Sequence, residues 1–136
     1  MTTFVEATEA IYQRFVDNFT GVSLANITFD NEEFDPTDST GWVRLVVRNL
    51  GRDQETLGKK GNRRFKTPAL ALVQVFTPAN TGIKQAGTLA QEAADIFEGE
   101  SFSGLDFQSA PISPGGPDKK WYQLVVEAQF DFDEIK

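Results

Sequence analysis

Cysteine and histidine are both absent from the 136 residues, and each absence removes chemistry. Without cysteine there are no disulfides, no thiolate metal sites and no thiol nucleophile, a composition suited to a reducing compartment. Without histidine the usual base of serine and cysteine triads is missing, as is the commonest ligand of zinc and non-haem iron. A carboxylate, lysine or magnesium enzyme stays open on these grounds, but the weight shifts away from catalysis, and no cofactor or metal is expected. No long apolar run is present, so no membrane span is expected. "MTTFVEATEA" has neither a basic flank nor an apolar core, so no signal peptide is expected there. Repeats and low-complexity segments are also missing. Length and an apolar content of 40% fit one domain over residues 1–136.

Positive charge is scarce overall and concentrated where it occurs. The net charge is −7, yet residues 44 to 66 hold eight of the 13 basic residues against only Asp53 and Glu55. Elsewhere five basic residues face 18 acidic ones, a balance of −13. The densest part is "LGKKGNRRFK", residues 57 to 66, with Lys59, Lys60, Arg63, Arg64 and Lys66. A protein devoted to nucleic acid is usually basic overall or across a whole face. This chain is an acidic body with one basic tip.

Apolar spacing supplies the elements. Phe4, Ala7, Ile11, Phe15 and Phe19 recur at helical steps over residues 3 to 19, with Thr2 or Thr3 as cap, Glu6 near the first turn and Gly21 as stop. "ANITFDNEEF" alternates Ile27 and Phe29 with polar neighbours, as a short strand does. Residues 35 to 41, "DPTDSTG", are turn chemistry. From Trp42 a strand places Val43, Leu45 and Val47 on one face and Trp42, Arg44, Val46 and Arg48 on the other. The next strand, Phe65 to Phe76, is apolar on both faces from Ala69 onward, which marks a central or interface-covered strand, provided Pro68 sits where no ladder bond is needed. Residues 49 to 62 join the two as a long basic hairpin loop, expected to lack compact local structure. A second helix is expected over 83 to 97, with Ile83, Ala86, Leu89, Ala90, Ala93 and Phe97 inward. After the turn-rich "EGESFSG", "LDFQSAPI" offers a short strand and "SPGGPDKK" a break. Trp121 to Asp133 then alternates, with Tyr122, Leu124, Val126, Ala128, Phe130 and Phe132 inward. The order α-β-β-β-α-β-β reads as α+β: two helices packed on one face of a mostly antiparallel sheet.

Catalytic and metal motifs fail on spacing. "GRDQETLGKK" has too many residues between its glycines for a phosphate loop and has Lys60 where a magnesium-ligating hydroxyl belongs. "GESFS" lacks the second glycine of a nucleophile elbow. In the run Asp30, Glu32, Glu33, Asp35 and Asp38, Phe34 occupies a ligand position of a calcium loop, so a solvated edge is expected. Trp121, Tyr122, Phe130 and Phe132 alternate as core residues without interleaved basic ones, unlike a single-strand stacking platform.

The helix "EATEAIYQRFVDNF" followed by a strand, the strand–hairpin–strand unit from Trp42 to Phe76, and the ending "ADIFEGESF", a Gly/Pro break and "WYQLVVEAQFDFDE" together resemble the bacteriophage tail terminator family. These are small tail-completion proteins of long-tailed phages, and the resemblance spans nearly the whole chain. It implies a virion protein made in the bacterial host cytoplasm and placed at the head-proximal end of the tail. There a hexameric homo-oligomeric ring caps the tail tube protein, ends tube polymerisation and meets the head–tail connector proteins. It implies no catalytic residues. It also implies that Lys59, Lys60, Arg63, Arg64 and Lys66 contact a neighbouring subunit or the tube, or approach DNA in the lumen. A head–tail stopper, a tail-tube subunit and a small nucleic-acid-binding module using the basic loop are the alternatives.

Overall fold

Unbroken alternation from residue 121 onward yields one long strand in the computed structural model, and that strand organises the sheet. The structure describes residues 3–22, 26–30, 32, 41–79, 82–118 and 121–136, with backbone alone at 116–118. In chain order the elements are α1 (Phe4–Asn18), β1 (Ile27–Phe29), β2 (Trp42–Asn49), β3 (Asp53–Gln54), β4 (Arg64–Pro78), α2 (Lys84–Phe97), β5 (Ser101–Phe102), β6 (Leu105–Phe107), β7 (Ile112–Asp118) and β8 (Trp121–Ile135). The fold is α+β. All seven expected elements occur in the expected order, and β3, β5 and β7 are added to them.

β4 and β8 pair antiparallel along their whole length, from Arg64 opposite Ile135 to Pro78 opposite Trp121. β2 and then β3 flank β4, while β7 and β6 flank successive halves of β8. The sheet order is β1-β2-β4-β8-β6-β5, and β1 on β2 is a parallel pair. Both helices cover the same face. Ala7, Ile11 and Phe15 of α1 and Ala86, Leu89, Ala90, Ala93 and Phe97 of α2 join one core with Leu45, Val73, Val126, Phe130 and Phe132. Small side chains on α2 let it lie close to the sheet. The aromatic stack Phe97–Phe107–Phe130, at 5.0 and 4.8 Å between centroids, closes the side of β6. Each fully buried Phe contributes on the order of 2 kcal/mol of transfer free energy.

Several local expectations shift. Thr3 is the cap: its hydroxyl accepts from the Glu6 N–H at 3.2 Å and the Glu6 carboxylate accepts from the Thr3 N–H at 3.1 Å. These bonds hold the Glu6 carboxyl below its ordinary range. Gly21 does not stop the helix, which ends at Asn18 with Phe19 already extended. Its constraint is close approach instead, because a Cβ there would stand 2.3 Å from Leu89 Cδ2. Phe4 and Ile83, expected inward, lie at helix starts and are 42% and 61% exposed. Residues 35–40 of the expected turn lie outside the described residues.

The expected break at "SPGGPDKK" is largely strand. β7 pairs with Trp121–Val126 through a bulge between Pro114 and Gly116. An edge strand leaves one side of its backbone unpaired, so its prolines sacrifice no ladder bond there. A side chain at Gly115 would meet Gln123 at 2.6 Å. Lys119 and Lys120 lie outside the described residues. Pro68 sits where β2 has ended and β3 has not begun. Its carbonyl accepts from the Leu50 N–H at 2.9 Å, so its missing N–H faces that same gap. Ser103 and Gly104, at φ 51° and 80°, form the two-residue turn between β5 and β6.

Candidate interaction surfaces

The hairpin between β2 and β4 is more ordered locally than its charge suggests. β3 pairs with Phe65 and Lys66, the Glu55 N–H donates to the Arg64 carbonyl at 2.7 Å, and the Arg64 N–H donates to Thr56 Oγ1 at 2.9 Å. At the tip the Asn62 N–H closes a turn on the Lys59 carbonyl at 3.0 Å, with Gly61 at φ 96° in the third position, where glycine is favoured. The expectation of a loop without local structure is corrected. Short main-chain ladders overcome like-charge repulsion that solvent screens.

β4–β8 register divides the five sequence-predicted basic residues into two groups. Arg64 donates to Asp133 Oδ2 through Nε at 3.0 Å and also through Nη2, and Lys66 Nζ lies 3.9 Å from Asp131 Oδ2. The hydrogen bond and charge of Asp133 hold the Arg64 guanidinium above its ordinary value. Arg63 Nε donates to the Lys136 carbonyl at 3.0 Å, and the Lys136 N–H donates back to the Arg63 carbonyl at 2.8 Å. Arg52 adds a further tie, bonding Glu134 at 2.5 Å and the buried Thr67 hydroxyl at 3.1 Å. Phe65 lies beneath the cations of Arg52, Arg63 and Lys136 at 5.4 to 5.7 Å. Among the described residues Lys59 and Lys60 have no ion pair, and both are exposed. Between the strands and these lysines stands Leu57, 92% exposed. Sequence reasoning passed over it because an isolated apolar residue in a charged loop has no period to betray it.

This division predicts separate stability effects. Lys59→Ser with Lys60→Ser leaves the melting temperature unchanged, whereas Arg52→Ser strands the buried Thr67 hydroxyl and lowers stability by about 1 kcal/mol. Paired thermal melts check the contrast, and equal melting temperatures would show that Arg52 does not hold this end of the sheet.

The sheet face away from the helices carries no helix among the described residues. Val46, Leu70, Leu72 and Val125 lie along it, half-buried or nearly buried, between Arg44 and Arg48 on β2 and Glu127 on β8. Trp42, Phe76 and Trp121 form a separate aromatic cluster at one end, with Trp42 and Phe76 stacked at 4.0 Å. On the opposite side the exposed or half-buried charge is mainly acidic: Glu6, Glu9 and Asp17 on α1 and Glu92 and Asp95 on α2, against Arg14 and Lys84.

Several concavities lie on that helical side, among them one between the two helices and one lined by α1 and Phe29. The larger, about 890 Å³, is an open groove between α1 and α2, and Arg14 there donates to the Ile96 carbonyl at 2.9 Å. The smaller, about 390 Å³, is lined by Glu9, Tyr12, Gln13, Val16 and Phe29, with the Tyr12 and Phe29 rings stacked at 4.3 Å. Burial, and then the charges of Asp30 and Glu32, push the Tyr12 hydroxyl above its ordinary value. Asp30 and Glu32 belong to the acidic run read as a solvated edge, and both are exposed; Glu33, Asp35 and Asp38 lie outside the described residues. No helix is long and apolar enough among the described residues to cross a membrane.

No protein-family model and no curated protein matches this sequence. A solved structure superposes on it over 96% of both chains, with a TM-score of 0.66 at 16% sequence identity. At that identity the likeness establishes the fold alone.

Proposed function

We propose that this chain is a structural virion protein of the tail terminator kind. On this reading it assembles into a hexameric ring at the head-proximal end of a phage tail, caps the tail tube protein and presents a surface to the head–tail connector. The sheet face that bears no helix among the described residues carries the reading. An antiparallel sheet in a free monomer needs one apolar face, and the second is normally polar. Here Leu70 and Leu72 continue the apolar character of β4 onto the side that no helix covers among the described residues. A contiguous apolar strip rimmed by charge suits protein contact. An acidic helical side and an exposed basic hairpin tip suit a ring, in which each subunit presents one surface forward and a different one back. A head–tail stopper or a tube subunit uses the same surfaces and differs in what stacks on the ring.

The test is mass photometry and electron microscopy of the purified full chain over a wide concentration range, with isolated tail tubes added. Closed rings, or decoration of tube ends, are expected. A chain that stays monomeric at high concentration and never decorates tubes overturns the reading. The exposed pair Lys59 and Lys60 keeps a nucleic-acid module as the second reading. Micromolar or tighter binding of labelled duplex DNA near physiological salt, abolished by Lys59→Ser with Lys60→Ser, would favour it.

A further inference from the structure

We propose that the hairpin tip of one copy seats Leu57 in the Tyr12–Phe29 cleft of the next copy, with Lys59 and Lys60 against the acids at its rim. This rests on the ring reading and names the contact that would close it.

Leu57 is 92% exposed, and among the described residues the two lysines beyond it make no ion pair, so the tip is an apolar knob with unspent positive charge. The cleft is its complement. Tyr12, Val16 and Phe29 supply an apolar floor of about 390 Å³, Glu9 lines one side, and Asp30 and Glu32 lie close enough to act on the Tyr12 ring. The open groove between the helices suits the tip less well, because Arg14 and Lys84 offset Glu92 and Asp95 along it, whereas the cleft has acids alone.

A chain cannot dock its own tip. β1, which carries Phe29, is aligned through β2 with Val73–Val75 of β4, while β3 of the hairpin pairs with Phe65 and Lys66. That separation is roughly 25 Å at the rise of an extended strand, and the tip projects further away. Knob and cleft therefore meet only between copies; repeated head to tail, that contact generates a ring, whereas a reciprocal pair would stop at a two-fold dimer. Burying the apolar knob supplies attraction, and the charges select the register.

The absence of cysteine makes the test clean. Leu57→Cys and Gln13→Cys are introduced singly and together into the full chain, and assembled protein is oxidised. The double variant should give a ladder of cross-linked species ending at the ring. A mixture of the two single variants should give dimers, and either single variant alone should give neither. Lys59→Glu with Lys60→Glu should weaken assembly at least tenfold, and Glu9→Lys with Glu32→Lys in the same chain should restore it. Rings that form without a cross-link between the two positions overturn this contact and leave the ring reading standing. Efficient cross-linking of Leu57→Cys alone overturns it in favour of a tip-to-tip pair. A wild-type chain that does not assemble at any concentration overturns both.

Discussion

Ile11→Asp and Phe15→Asp each leave the protein largely unfolded at room temperature, while Phe4→Asp melts close to the wild type. All three belong to one apolar stripe at helical spacing, and burial separates them. Ile11 and Phe15 are fully buried, and Phe15 lies between Phe19 at 4.6 Å and Phe97 at 6.2 Å, joining α1 to α2. Removing a buried phenylalanine ring typically costs ~3–5 kcal/mol. Placing an unpaired carboxylate in the space adds several kcal/mol more, unless it takes up a proton. A domain of this size has a total stability of only ~5–15 kcal/mol. Phe4 is 42% exposed in the first turn of α1, where an aspartate interacts favourably with the helix dipole, so its replacement changes stability by under about 0.5 kcal/mol. Thermal melts by circular dichroism decide it. Wild-type melting for Ile11→Asp and Phe15→Asp would mean that α1 does not pack on the sheet.

Phe4 and Ile83 show where periodicity stops being informative. Spacing defines the direction a side chain takes around a helix, and whether something lies in that direction depends on where the helix overhangs its sheet. The long strands were legible because β8 alternates along most of its length and β4 carries a nearly continuous apolar run from Ala69 to Phe76. β7 was not legible, since its prolines and glycines are turn residues by composition and become strand only because β8 offers an edge. β3 and β5 are two residues each, too short for any period.

The candidate surface divides in the same way. Clustering of Lys59, Lys60, Arg63, Arg64 and Lys66 is plain in the sequence. Partnership with the acidic chain end is not, because Asp131 and Asp133 meet Arg64 and Lys66 only through the β4–β8 register. The Tyr12–Phe29 cleft is hidden for a related reason. Its two rings come from a helix and a strand, and each reads separately as an ordinary half-buried aromatic.

Leu72→Lys should yield a folded monomer that no longer forms rings. Leu72 lies on the sheet face away from the helices, between Val46 on β2 and Glu127 on β8 in the same cross-strand row. In the free subunit a lysine there gains a carboxylate opposite it and can extend its ammonium into solvent, so folding is little affected. In an assembly that covers the face, the same ammonium is trapped against apolar side chains and must be desolvated. Charges or truncations at the centre of an interface cost about 2–4 kcal/mol, or roughly 30- to 1,000-fold in affinity for each contact. A ring has as many contacts as subunits, so the penalty recurs at every joint and assembly fails over concentrations where the wild type closes. Gln91→Lys, an exposed position on α2 on the opposite side of the molecule, is the control and should assemble normally if added charge alone is harmless. Mass photometry reads the assembly and a thermal melt reads the monomer. Should Leu72→Lys form rings at the wild-type concentration, the sheet face is left to solvent in the assembly. The proposed function would then lose the observation that carries it, and the Tyr12–Phe29 cleft would have to hold the subunits together alone.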